Sequence, residues 1–164
     1  MRTTFLPLLS LCMMLILYMG DAKAEIQKSS GLNTREYSLT GEYSGALTRV
    51  HMNEDKSPIH HIKSQVTRGN KDTKVNIHIS PFKVGAMPGT VSIEAKDIEV
   101  SEDGTFAQKC KNIVNIKMIG FPLKYDGTIS GAFDGDTLRY TVTVKGQFAF
   151  KSFTSITTFE GRKQ

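Results

Sequence analysis

Four histidines, two cysteines and a pair of aspartates flanking a glycine have the side chains to do chemistry in this 164-residue chain. His51, His60, His61 and His78 invite a metal reading. Adjacent residues of a strand point to opposite faces, so His60 and His61 cannot chelate one ion together. His51 meets His61 only in one pairing register, and no His-x-x-x-His spacing occurs. Solvated histidines are the expectation, with no metal and no cofactor. Asp134 and Asp136 could pose as paired carboxylates for acid–base work. With Gly135 between them they are fully explained as a hairpin turn, and too few oxygen ligands lie nearby for calcium. A Gly-x-Ser-x-Gly nucleophile motif is absent. Nothing here predicts an enzyme.

Cys12 and Cys110 belong to different parts of the chain. Cys12 lies in the apolar run Phe5 to Met19, which follows Arg2 and ends at Gly20. About 15 residues is short of the roughly 20 that a spanning helix needs. Ala22 and Ala24 are the small residues a signal peptidase reads. The expectation is a signal peptide over residues 1–24, cleaved after Ala24, and an exported protein, periplasmic or secreted, with no stable membrane span in the mature chain. A lipoprotein reading fails on Leu11, which is bulky before Cys12. Losing Arg2, Lys23 and Asp21 with that segment lowers the formal charge from +5 to +4. Cys110 is then alone, so no internal disulfide forms, and on a strand it acts as a small buried hydrophobe. The remaining charges are scattered along the sequence, without the basic stripe that nucleic-acid binding shows. Asp136-Thr137-Leu138 resembles the short acceptor motif for O-glycosylation that some Gram-negative bacteria use on exported proteins, with Thr137 as acceptor.

The elements that must position these residues are strands. Alternation of apolar and polar residues dominates after Ala24, and no segment holds a helical period for long. Eight strands are predicted: Tyr37 to Val50, Ile59 to Thr67, Thr73 to Ser80, Thr90 to Ser101, Thr105 to Met118, Leu123 to Phe133, Thr137 to Lys145 and Phe148 to Phe159. Ile98 and Val100 fall out of phase with Val91, Ile93 and Ala95, which predicts a bulge near Lys96-Asp97. Pro81 to Gly89, with two prolines and two glycines, cannot continue a central strand. Asp126-Gly127 is expected to interrupt the sixth strand, and Gly146 to turn the seventh into the eighth. Tyr43-Ser44-Gly45-Ala46-Leu47 is echoed by Ile129-Ser130-Gly131-Ala132-Phe133, which reads as one bent-strand solution used twice. Short connections imply antiparallel neighbours, and the set forms either a sandwich or an up-and-down barrel.

Three stretches carry a family resemblance: Gly41 to Thr48, Ile77 to Val91 (IHISPFKVGAMPGTV) and Asp126 to Val144 with its two glycine turns. Across about Leu39 to Gly161 the chain resembles the calycin-like family of small exported bacterial proteins, relatives in architecture of lipocalins, fatty-acid-binding proteins and avidin. The resemblance implies an all-β, eight-stranded antiparallel up-and-down barrel over residues 37–161. It follows a flexible segment over 25–36 and precedes a polar tail over 162–164. It implies no catalytic motif. The lipocalin Gly-x-Trp signature is missing, since the chain has no tryptophan.

An eight-stranded barrel is just wide enough inside to be filled by side chains or to hold one small ligand. The inward candidates are Leu39, Tyr43, Leu47, Ile77, Ile93, Ile116, Phe133, Tyr140, Val142 and Phe150. They form either a packed core or the lining of a site for a small hydrophobic molecule. A buried Tyr43 or Tyr140 hydroxyl needs a partner, a backbone carbonyl or a ligand. Phe82 and Met87, in the Pro/Gly-rich segment, would lid one end. Two functions follow: an exported binding protein with an apolar ligand in its lumen, or a filled barrel that works through its outer surface as an interaction module.

Overall fold

The computed structural model describes residues 39–118, 121–148 and 150–164. The expected signal peptide, its cleavage site at Ala24 and the segment 25–36 lie outside the described residues. The strands are β1 (Gly41–Met52), β2 (Asp55–Lys56), β3 (Ile59–Arg68), β4 (Lys74–Phe82), β5 (Thr90–Glu99), β6 (Thr105–Met118), β7 (Phe121–Asp134), β8 (Thr137–Phe148) and β9 (Lys151–Lys163). Each pairs antiparallel with its sequence neighbour in the order β1-β3-β4-β5-β6-β7-β8-β9, and β1 pairs again with β9. Eight strands therefore close into the expected barrel. β2 is a two-residue addition that caps the end of β1 (Val50 opposite Lys56, His51 opposite Asp55).

Period-two alternation decides what fills the barrel. Tyr43, Leu47, Ile77, Ile79, Ile93, Ile98, Ile113, Ile129, Leu138, Tyr140 and Phe159 are all buried. Each such aliphatic or aromatic side chain contributes about 1.5–3 kcal/mol relative to exposure. Leu39 is half-buried against this core. Tyr43 packs edge-on against Phe133, and Phe106 packs against the same ring. These contacts plug the end of the barrel where β1, β4, β6 and β8 begin.

In so small a cylinder neighbouring strands come very close at two places, and the two echoed glycines occupy them. A Cβ on Gly45 would lie 2.0 Å from the Glu160 carbonyl oxygen, and one on Gly131 would lie 2.3 Å from that of Arg139. Both backbones approach their neighbour more closely than any side chain permits. The shared pentapeptide pattern is thus one solution applied at the β1–β9 and β7–β8 seams.

The bulges follow a second rule. Asp97 sits at φ 53° in the slip between Val75–Ile98 and Ile77–Ala95, at the predicted Lys96-Asp97 bulge. Asn112 adopts φ 52° in the slip between Cys110 and Val114. Asp and Asn tolerate this left-handed conformation best after glycine. Each bulge exposes a backbone N–H that the ladder no longer uses, and a neighbouring side chain accepts it. Asn76 Oδ1 takes the Asp97 N–H at 2.9 Å, and Asp126 Oδ1 takes that of Asn112 at 2.7 Å. Pro81, which has no N–H to donate, lies in the slip between Ile79 and Phe82.

Four expectations are corrected. Phe150 does not face the interior: it is fully exposed at φ 65° in the β8–β9 turn, because β8 runs on to Phe148. Gly146 is no turn but a strand position opposite Phe153, where a Cβ would meet the rings of Tyr125 and Phe153 at 2.8 and 2.9 Å. Asp126-Gly127 does not break β7, since Asp126 is spent on the neighbouring bulge. Residues 162–164 are not a free tail. Arg162 and Lys163 pair with Ser44 and Tyr43 across the closing seam, and the Gln164 N–H donates to the Glu42 carbonyl.

Candidate ligand cleft at the barrel mouth

The interior is divided into a sealed half and an open one. In the sealed half the two tyrosine hydroxyls are satisfied from within. Tyr43 donates to the Leu39 carbonyl at 2.9 Å. The hydroxyls of Tyr140 and Ser64, both buried, lie 3.0 Å apart. Burial, helped by the charge of Asp136, pushes the Tyr43 pKa up to about 12. Burial raises that of Tyr140 further, against a smaller opposing effect of the Ser64 hydrogen bond. Neither hydroxyl is left over for a ligand.

Of the inward candidates, Tyr43, Leu47, Ile77, Ile93, Phe133, Tyr140 and Val142 are therefore core. Between the halves lies a void of about 20 Å³, bordered by Val50, Phe82, Val91, Val114, Val144 and Thr157. It has room for about one water molecule. Phe82 is buried there as a core plug rather than a movable lid.

Above it the barrel opens. An apolar cleft of about 730 Å³ lies at the end where β4, β6 and β8 finish. Its wall consists of Met52, Val84, Met87, Ile116, Met118, Leu123, Tyr125 and Phe153, and Asn53, Lys56 and Lys151 also line it. Only Ile116 and Met87 of the predicted site residues line it. Met118, Leu123, Tyr125 and Phe153 continue the inward alternation of β6, β7 and β9, so their phase was readable. Which end of the barrel stays open was not.

The cleft's shape has local causes. Tyr125 and Phe153 meet edge to face with centroids 4.9 Å apart, over the space that Gly146 leaves empty. Tyr125 donates to the Gln147 carbonyl at 3.3 Å. β7 and β8 pair only from Gly127–Val144 inward, so their outer ends splay. β3 and β4 likewise pair only over Ser64–Arg68 and Val75–Ile79. The Val84–Met87 segment crosses this end, held by a hydrogen bond from the Met87 N–H to the Val84 carbonyl.

The remaining candidates do not converge on a site. His51 pairs with Asp55 at 2.8 Å, whereas His60, His61 and His78 are exposed. His61 occupies a bulge at φ 58°, which puts both members of the His60-His61 pair outside the barrel. Among the described residues no three His, Cys, Asp or Glu side chains gather as metal ligands, and no helix is long and apolar enough to cross a membrane. Cys110 is buried, and burial raises its thiol pKa, so thiolate is scarce at neutral pH. Thr137 is half-exposed at the start of β8, beside the Asp134–Asp136 turn.

A closed eight-stranded antiparallel barrel, sealed at one end and apolar at an open mouth, defines a calycin-type binding fold. The family model of the Calycin-like beta-barrel domain matches residues 39–162. The chain belongs to that family. No curated protein and no solved structure matches it.

Proposed function

We propose that the protein is a binding protein whose ligand, a small apolar molecule, sits in the mouth cleft rather than in the depth of the lumen. The observation that carries this reading is the apolar wall of a cleft of about 730 Å³. That volume falls within the roughly 300–1,000 Å³ of typical small-molecule sites. A barrel of this size that spends its deeper half on a packed core leaves the mouth as its available volume. Filling the cleft tests the proposal. Leu123→Trp puts a large ring among Met118, Tyr125 and Phe153. It is expected to reduce binding of a neutral naphthylamine fluorescent probe at least tenfold without lowering the melting temperature. Equal probe binding by the variant, or none by the wild type, sinks the cleft.

The filled interior, crossed by the Ser64–Tyr140 bond, favours a second reading, in which the same barrel acts through its outer surface. Native mass spectrometry of protein taken gently from its own source separates the two. A bound mass lost on denaturation supports the carrier, and its absence supports the surface-acting barrel.

The expected export belongs to the same proposal. Denatured intact mass reads its two covalent consequences together. A chain starting at Glu25 supports cleavage after Ala24, and an added saccharide mass mapping to Thr137 supports glycosylation there. Another start, or an unmodified mass, overturns the corresponding expectation.

A further inference from the structure

The topology gathers at the mouth what the sequence scatters. Lys83, Lys117, Lys124, Lys145 and Lys151 stand at or near the mouth ends of β4 to β9, and all are exposed. The carboxylates of the β1–β3 connection at this end, Glu54 and Asp55, already pair with Lys56 and His51. Elsewhere on the barrel Lys63 meets Glu42, Lys74 meets Glu99 and Lys96 meets Glu94, whereas Lys71, Lys109 and Lys111 are unpaired among the described residues but do not gather at one end. The five mouth lysines form no ion pair among the described residues.

Two large apolar side chains stand in the same ring. Phe121 and Phe150 are the exposed large hydrophobics of the described residues, at 75% and 104% of full exposure. Phe121 opens β7 and Phe150 lies in the β8–β9 turn, so both stand beside the cleft at the mouth ends of two hairpins. Lys117 and Lys124 flank the first, and Lys145 and Lys151 the second. An exposed phenylalanine gains nothing from water, and two at adjacent tips are out of keeping with a surface otherwise mixed in charge. Apolar tips within a cationic ring match a bilayer with anionic headgroups, where aromatic rings enter the interface and lysines stay at the phosphates.

We propose that the mouth of the barrel docks on an anionic lipid surface, with Phe121 and Phe150 entering the headgroup layer and the five lysines holding it by charge. This orientation turns the open cleft toward the bilayer, but the docking does not depend on what the cleft holds. An acidic protein would satisfy the lysines without explaining two phenylalanines at separate tips. The bilayer explains both.

Because the chain has no tryptophan, Phe150→Trp provides a single reporter at one tip. With vesicles of phosphatidylglycerol and phosphatidylcholine, its emission is expected to shift to the blue and to be quenched by lipids brominated near the headgroup. Vesicles of phosphatidylcholine alone should give neither effect. Each lysine close to an anionic surface strengthens binding about fivefold. Changing Lys117, Lys124, Lys145 and Lys151 to Gln should thus weaken co-sedimentation by about six hundredfold, and added salt should weaken the wild type. Phe121→Ser with Phe150→Ser should also abolish co-sedimentation, with circular dichroism and melting temperature unchanged because both rings are exposed. Reporter emission that stays at the water-exposed wavelength on anionic vesicles overturns the proposal. So does retention on an immobilised polyanion without vesicle binding, which would assign the lysines to a different partner. Vesicle binding by a wild type that does not bind the cleft probe would remove the ligand and leave the docking.

Discussion

Gly45→Ala is expected to lower stability by about 3 kcal/mol, and Gly45→Val to prevent the domain from folding. Gly45 is paired on both sides, with Ile62 of β3 and with Gly161 of the closing strand. The added Cβ would fall 2.0 Å from the Glu160 oxygen and 2.5 Å from the Gly161 Cα. Both are backbone atoms within the β1–β9 ladder, so no side chain can rotate away. Relief comes only from separating β1 from β9, and that opens the barrel along its seam and creates two exposed edges. Gly45 is not in the left-handed region, so conformational strain does not enter and the penalty is steric. Gly85→Ala makes the contrast. At φ +51° with nothing within 4 Å, it meets only the left-handed penalty of about 1–2 kcal/mol. Thermal or urea denaturation of both variants decides the matter. Gly45→Ala should melt on the order of 10 °C lower, and a midpoint equal to that of the wild type would disprove the seam argument.

Tyr140→Ala is the second large effect, at about 3–5 kcal/mol. The ring is fully buried against Phe159, with centroids 5.3 Å apart. Its hydroxyl meets Ser64 on β3, which two intervening strands, β9 and β1, separate from β8 around the wall. The bond therefore crosses the interior. Conservative variants separate packing from polarity. Tyr140→Phe keeps the ring but leaves the Ser64 hydroxyl buried without its partner, at about 1–3 kcal/mol. Adding Ser64→Ala removes that orphan and should restore most of the loss. Additive losses in this double-mutant cycle would show that the two hydroxyls do not interact.

The same burial has a sign in pH. Folding holds Tyr43 and Tyr140 neutral, whereas an unfolded tyrosine ionises near pH 10. Their contribution is complete below about pH 10 and is lost as pH rises through the raised folded values, about 12 for Tyr43. In an alkaline titration the tyrosinate absorbance of these two should therefore appear together with unfolding.

Much of this architecture was legible from residue order because a strand's two faces are written as alternation. Val75, Ile77 and Ile79, or Leu138, Tyr140, Val142 and Val144, declare an inward face without any partner strand. The phase slip after Ala95 declares the Asp97 bulge for the same reason. Glycine was ambiguous, since a missing side chain serves a turn and a close approach equally well. Gly135 sits in a turn at φ 54°, whereas Gly146 and Gly127 sit in strands beneath aromatic and aliphatic neighbours. Phe150 was misplaced because a strand taken to start at Phe148 includes it, whereas β8 runs on to Phe148 and leaves Phe150 in the turn, out of phase with the inward Phe153, Thr157 and Phe159 of β9.

The functional half of the molecule lay beyond that reading. Alternation marks inward residues along the whole length of every strand, but it does not say at which level the opposite walls meet. That level is set by where Tyr43, Phe106, Phe133, Tyr140 and Ser64 converge in three dimensions. The open end is set by the splaying of β7 from β8 and of β3 from β4. Charge behaves in the same way. Lys83, Lys117, Lys124, Lys145 and Lys151 are spread over nearly seventy positions as a dilute mixture. An up-and-down barrel returns to the same end every second turn, so they become one ring around a cleft. The sequence by itself determined the strands, the face each one buries and the closed barrel they build, because those rest on local periodicity. Only the tertiary structure decided which end stays open and which charges and rings surround it, because that depends on contacts between strands far apart in the chain.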